Sequence, residues 1–172
     1  MSADFKSEGD AICLIGNRRE ELGGSEYLKV IHNTVSGLAP EMDIEEEKNL
    51  QKAVLSAIRS GVVNAAHDTS EGGIAIALAE MSIMSAGLGA KAKLWNEGHS
   101  ALFGESNSRI IVTVSPDKLL DLEAICNETS VEMTRIGTVT SGSFEIEGGI
   151  RTNHSELVKA YEGAIPERMK KK

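Results

Sequence analysis

The chain has 172 residues and a net charge of −8, with 41% hydrophobic, 26% charged and only 3% aromatic residues. That fits one globular domain with an aliphatic core, and the acidity excludes a general nucleic-acid binder, which needs a basic face. No apolar run reaches the ~20 residues of a membrane span, no leader-like segment opens the chain, and a cytoplasmic protein is expected. Cys13 and Cys126 each sit in an apolar segment and read as buried free thiols. No Cys/His cluster has zinc spacing.

In chain order, residues 1–9 are polar and read as an arm or linker remnant, followed by a single domain over 10–165 and a basic tail over 166–172. Ala11 to Ile15 is a continuous apolar run, a buried strand. Leu22-Gly23-Gly24-Ser25-Glu26-Tyr27 is a paired-glycine turn before a short helix over Leu28 to Ile31, with Ser25 and Glu26 available as caps. His32 to Pro40 is loop-like. Asp43 opens the clearest helix, with Glu46 at capping-box spacing. Leu50, Ala53, Val54, Ala57 and Ile58 line its inner face, and Gly61 sits at its left-handed end. The acidic run Glu45-Glu46-Glu47 is a solvated helix start, not a metal site.

Val62 to Ala66 reads as a strand leading into His67-Asp68-Thr69-Ser70-Glu71-Gly72-Gly73, and an apolar helix, Ile74 to Ala86, leads out. Two readings of this turn stand. Unpaired N–H groups at a glycine-rich helix start suit an anion such as phosphate. Equally, Ser70 caps the helix and the glycines permit close packing. Ala90 to Leu94 reads as a half-exposed strand and Trp95 to Ala101 as irregular. A second polar island, Leu102-Phe103-Gly104-Glu105-Ser106-Asn107-Ser108-Arg109, runs into the strand Ile110 to Val114. Arg109 there either pairs with a carboxylate or phosphate or lies on the surface. Ser115-Pro116 starts a helix to about Asn127. Val131 to Val139 and Phe144 to Glu147 read as a hairpin across Ser141-Gly142. Asn153 and Glu156 cap a last helix to about Glu162, with Pro166 beyond its end. The interleaving predicts an α+β (α/β layered) fold: a mixed β-sheet packed with helices.

Together the islands resemble the C-terminal domain of the phosphoribosylformylglycinamidine synthase family, of the AIR synthase-related superfamily. The matches are Gly9-Asp10, the Leu22–Tyr27 turn, His67 to Gly73 with Ala77-Leu78-Ala79-Glu80, and Leu102 to Arg109. Asn107-Ser108 stands where the family usually has Gln-Gly. The resemblance implies an AIR synthase-related C-terminal domain fold and a part in an ATP-dependent ligase of purine biosynthesis. That enzyme converts formylglycinamide ribonucleotide to its amidine with ammonia from glutamine. It further implies that ATP and Mg are bound mainly outside this chain. The implied partners are upstream domains of the same synthase, a glutaminase subunit and a small accessory subunit, with no nucleic acid and no membrane.

On this reading the chain is one piece of a longer enzyme, inactive alone, with no catalytic or metal residue of its own and no base role for His67. Asp68, Ser70, Gly72, Gly73, Glu105, Ser106 and Asn107 are the candidate substrate- or nucleotide-binding residues. Two alternatives are a degenerate structural module that binds nothing and a domain of another superfamily synthetase, of the aminoimidazole ribonucleotide or selenophosphate type. A homodimer through a face that a missing domain would cover is a further expectation.

Overall fold

The structure is a computed structural model that describes residues 1–96 and 98–170. Among them a seven-stranded mixed sheet runs in the order β2-β4-β1-β5-β3-β6-β7. The strands are β1 (Ala11–Ile15), β2 (Val63–Asp68), β3 (Gly89–Ala92), β4 (Ile110–Val114), β5 (Met133–Thr140), β6 (Ser143–Ile146) and β7 (Ile150–Asn153). Only β3 and β6 pair in parallel; the other pairs are antiparallel. The helices are α1 (Glu26–His32), α2 (Ile44–Arg59), α3 (Gly73–Ile83), α4 (His99–Phe103), α5 (Leu119–Glu128) and α6 (His154–Lys170). The expected fold class is the observed one.

Strand β1 is apolar at every position because both faces of the sheet are covered. Ile12 and Leu14 join a core with Ile74, Leu78 and Met81 of α3. Ala11, Cys13 and Ile15 join a second core with Leu50 and Val54 of α2 and Leu122 of α5. Helix α2 follows its sequence signals. Asp43 accepts the N–H groups of Glu45 and Glu46 at 2.8 and 3.1 Å. At the other end Gly61 has φ +68°, and Gly61 and Val62 donate to the Ile58 and Ala57 carbonyls, a Schellman end.

Several expectations need correction. The 133–140 and 143–146 strands are not hairpin partners. Strand β3 lies between them, antiparallel to β5 and parallel to β6, and β6 pairs instead with β7. The Ser141-Gly142 turn therefore links strands one place apart in the sheet. Residues 1–9 are not a free arm: Phe5 is buried in the α3-side core, and its N–H donates to the Met81 carbonyl at 3.2 Å. Pro166 lies inside α6, which runs to Lys170, so most of the expected tail is helical; Lys171 and Lys172 lie outside the described residues. A short helix, α4, interrupts the segment expected to be irregular.

Candidate functional site

Strands β2 and β4 are antiparallel, with Asp68 opposite Ile110, so the end of β2 and the start of β4 lie at one edge of the sheet. This register sets the His67–Gly73 island beside the Gly104–Arg109 island. Thr69 ties them, donating through both its N–H and its hydroxyl to the Arg109 carbonyl at 3.1 and 3.3 Å. Strand β1 ends at the same edge, and Gly16, at φ +111°, has room for no Cβ because the Ser108 carbonyl sits against it.

The three polar islands meet at Glu105. Its Oε1 accepts the Gly72 N–H at 2.8 Å and the Glu26 N–H at 2.8 Å. A protein carboxylate thus sits where the sequence suggested an external anion, at the start of α3 and at the first turn of α1. The Gly73 N–H donates to the Ser70 carbonyl at 3.0 Å. Both glycine donors are therefore occupied from within the chain. Ser70 is not the helix cap: Gly72 holds that place at φ +79° without a side-chain bond. The Ser70 hydroxyl donates instead to Asp68 Oδ2. That bond, opposed in part by burial, holds the Asp68 carboxyl below its ordinary value.

Arg109 is a buried residue, not a surface one. Its Nε and Nη2 donate to the Ser106 and Gly104 carbonyls at 3.2 and 2.6 Å, and burial pushes its pKa down to about 10. It holds the island's backbone from beneath. Three atoms in this neighbourhood, Ser106 Oγ, Arg109 Nη1 and Glu21 Oε2, are buried without a hydrogen-bond partner. Asn107 donates to the Glu41 carbonyl at 3.2 Å. It tethers the loop before α2. Ser108, at φ +58°, donates to Glu47 Oε2 at 2.7 Å.

Beside these groups opens a cleft of about 390 Å³ lined by Asp68, Thr69, Ser70, Glu105, Asn107 and Ser108, with Glu47 and Arg109 at its walls. Of the seven sequence candidates, Asp68, Ser70, Glu105 and Asn107 line it. Gly72 faces a separate apolar groove. Thr69, Ser108 and Glu47 went unnamed as candidates, although Thr69 and Ser108 stand inside the recognised islands. His67 is tethered, its Nδ1 2.6 Å from the Asp68 carbonyl and its Nε2 3.2 Å from Glu80. No group of three or more acidic, histidine or cysteine side chains among the described residues is arranged to hold a metal ion, and no described helix is long and apolar enough to cross a membrane.

A helix-flanked mixed sheet with polar islands gathered at one strand edge is the arrangement of a known domain class. The family model for the AIR synthase related protein, C-terminal domain, matches residues 7–148, and the chain belongs to that family. Among solved structures it resembles Thermotoga maritima PurL complexed with FGAR, with TM-score 0.78 and 19% identity over 92% of this chain and 29% of that one. It resembles the same protein complexed with ATP, with TM-score 0.71 and 20% identity over 92% and 27%. A more distant likeness is the thiamine-monophosphate kinase of Stenotrophomonas maltophilia, at TM-score 0.55 and 18% identity over 86% and 53%. The chain thus spans less than a third of the PurL chains it matches.

Proposed function

We propose that this domain belongs to an ATP-dependent formylglycinamide ribonucleotide amidotransferase and supplies one wall of a composite substrate or nucleotide site. In that reaction the γ-phosphoryl group of ATP passes to the amide oxygen of the substrate. Ammonia derived from glutamine then adds to the amide carbon, and phosphate leaves with the oxygen. The observation that carries the reading is the convergence of the three islands on Glu105, beside a polar cleft. Asp68, Ser70, Ser108 and Asn107 offer acceptors and donors there, and Arg109 holds the loop through the Ser106 carbonyl.

The cleft's chemistry favours the hydroxyl- and amide-bearing part of a ligand. Its walls carry the carboxylates of Glu47, Asp68 and Glu105, and its one guanidinium is turned onto backbone carbonyls. The lining's one guanidinium is already committed, which leaves a triphosphate without a basic partner and supports the reading that ATP and Mg are bound mainly outside this chain. Phosphate binding at Gly72 and Gly73 requires Glu105 to withdraw from the first and the Ser70 carbonyl to release the second. A glutaminase and a small accessory subunit supply ammonia and assembly on this reading.

A second reading is a structural module that binds nothing, favoured by the internal partners of both glycine N–H groups. The test is amidine formation from ATP, ammonia and formylglycinamide ribonucleotide. It is run with this chain, with the rest of the synthase polypeptide, and with both. Activity only in the mixture, lowered about tenfold or more by Asn107→Ala, supports the composite site. Full activity of the folded remainder alone makes the domain a scaffold.

A further inference from the structure

The segment 17–21, between β1 and the first paired-glycine turn, is tied residue by residue to three other parts of the domain. Asn17 and Arg19 donate to the two carboxylate oxygens of Glu46 in α2, at 2.6 and 2.5 Å. Glu20 accepts from Trp95 Nε1 at 3.0 Å and from the Ser100 hydroxyl at 3.3 Å. Glu21 Oε1 accepts the Glu41 N–H at 3.0 Å. The segment is a bracket, and its last bond reaches the wall of the candidate cleft.

Glu41 is gripped from both sides. Its N–H goes to Glu21 and its carbonyl accepts from Asn107 Nδ2 at 3.2 Å. The next residue, Met42, lines the cleft together with Asn107. A residue held at both its N–H and its C=O has little freedom, so the bond from Glu21 bears on where Met42 stands. The Glu21 backbone also lies against the second island. A Cβ on Gly104 would meet the Glu21 carbonyl oxygen at 2.9 Å, and the Gly104 carbonyl is the one that takes Arg109 Nη2.

The charges agree with this geometry. The orphaned atoms here, Arg109 Nη1, Ser106 Oγ and Glu21 Oε2, belong to a cation, a hydroxyl and an anion, groups of complementary hydrogen-bonding character. Burial pushes the Arg109 pKa down, and the Glu21 carboxylate works against that. Burial likewise raises the Glu21 carboxyl, but the Glu41 N–H, the Ser106 hydroxyl and the guanidinium groups of Arg19 and Arg109 outweigh it and hold the carboxyl below its ordinary value.

We propose that Glu21 is a positioning residue of the candidate site, which holds Glu41 against Asn107 and so fixes the Met42 wall of the cleft. Glu21 is not itself in the cleft lining; it acts through Glu41. The grip on Glu41 is independent of the amidotransferase reading, and only its effect on substrate affinity rests on that reading.

Amide hydrogen exchange and the Met42 methyl resonance of the whole chain are the test. Glu21→Ala is expected to speed exchange of the Glu41 N–H at least about tenfold, and Glu21→Gln, which keeps an acceptor oxygen, less than about threefold. The Met42 methyl should shift in Glu21→Ala. Glu20→Ala, one residue away in the same bracket, is the control and should leave both signals in place. In amidine formation by the chain mixed with the rest of the synthase polypeptide, Glu21→Ala should raise KM for formylglycinamide ribonucleotide about fivefold with kcat within about twofold, and Glu21→Gln should restore most of the loss. Unchanged exchange at Glu41, or acceleration spread evenly over the domain, overturns the proposal. So does a fall in kcat at constant KM. If the natural mixture makes no amidine, the amidotransferase reading falls, and the exchange and methyl signals still decide whether Glu21 sets the wall.

Discussion

The two paired-glycine turns look alike in sequence and do different work. Gly23-Gly24 opens α1, which buries none of its residues. Gly72-Gly73 opens α3, which buries seven of eleven. At both, one glycine permits close approach of backbone and the other turns the chain. A Cβ on Gly73 would meet the Gly104 carbonyl oxygen at 2.5 Å and the Phe103 carbonyl carbon at 2.9 Å, and its φ is +65°. Gly24, at φ +73°, has nothing within 4 Å. What distinguishes the turns is what stands behind them. For α3 it is the polar island and the core; for α1 it is an exposed loop, tied by the Gly24 N–H to the Ser36 carbonyl but covered by nothing else of the domain.

Substitution should expose that difference. Gly73→Ala combines left-handed strain with a backbone clash and is expected to cost about 3–5 kcal/mol. Gly24→Ala carries strain alone, about 1 kcal/mol. Urea titration of the two variants checks the contrast, and equal losses would mean that the α1 turn is as firmly braced as the α3 turn.

Glu105 joins the two turns, so its loss should be felt at both. Glu105→Ala removes an acceptor from the Gly72 and Glu26 N–H groups, at a cost of about 2–4 kcal/mol. Glu105→Gln keeps an amide oxygen for that place and should cost less than half as much. Amide hydrogen exchange gives the sharper readout: both N–H groups should speed up in Glu105→Ala. Acceleration at Gly72 only would show that α1 is held by its Ser25 cap without the carboxylate. Arg109→Lys should cost about 2 kcal/mol, because an ammonium cannot reproduce the planar fork that reaches two carbonyls from a buried position. Denaturant titration checks this as well.

Legibility followed the same divide between local and distant causes. Strand β1 and helix α2 could be read because each is signalled within its own span, by an unbroken apolar run and by a cap, a stripe and a terminal glycine. Strand β7, Ile-Arg-Thr-Asn, could not: one apolar residue in four gives no alternation, and it exists because β6 offers it an edge. The false hairpin arose because a turn dipeptide states where the chain reverses, not which strand fills the place beside it. Glu105 was recognised as a candidate, but its partners lie far away in sequence, Gly72 at 33 positions and Glu26 at 79. The burial of Arg109 was likewise invisible, since a lone arginine before a strand has the same local pattern buried or exposed.

The smallest expected effect concerns Asp68, at the solvent side of the cleft. The Ser70 hydroxyl, against a counteracting contribution from burial, lowers its carboxyl from the ordinary 3.8, so the bond favours the folded state while the carboxylate is ionised. Its contribution is present above 3.8 and lost as pH falls through the lower folded-state value. The Asp68 side chain is 71% exposed, which limits the gain to a few tenths of a kcal/mol. Ser70→Ala should therefore be slightly less stable than the natural sequence at about pH 6, with the gap narrowing toward about pH 2 as falling pH protonates Asp68. Denaturant titration at the two pH values measures the gap. A gap that persists at the lower pH would place the role of Ser70 in the loop backbone, where its carbonyl already receives the Gly73 N–H, and not in its hydroxyl's bond to Asp68.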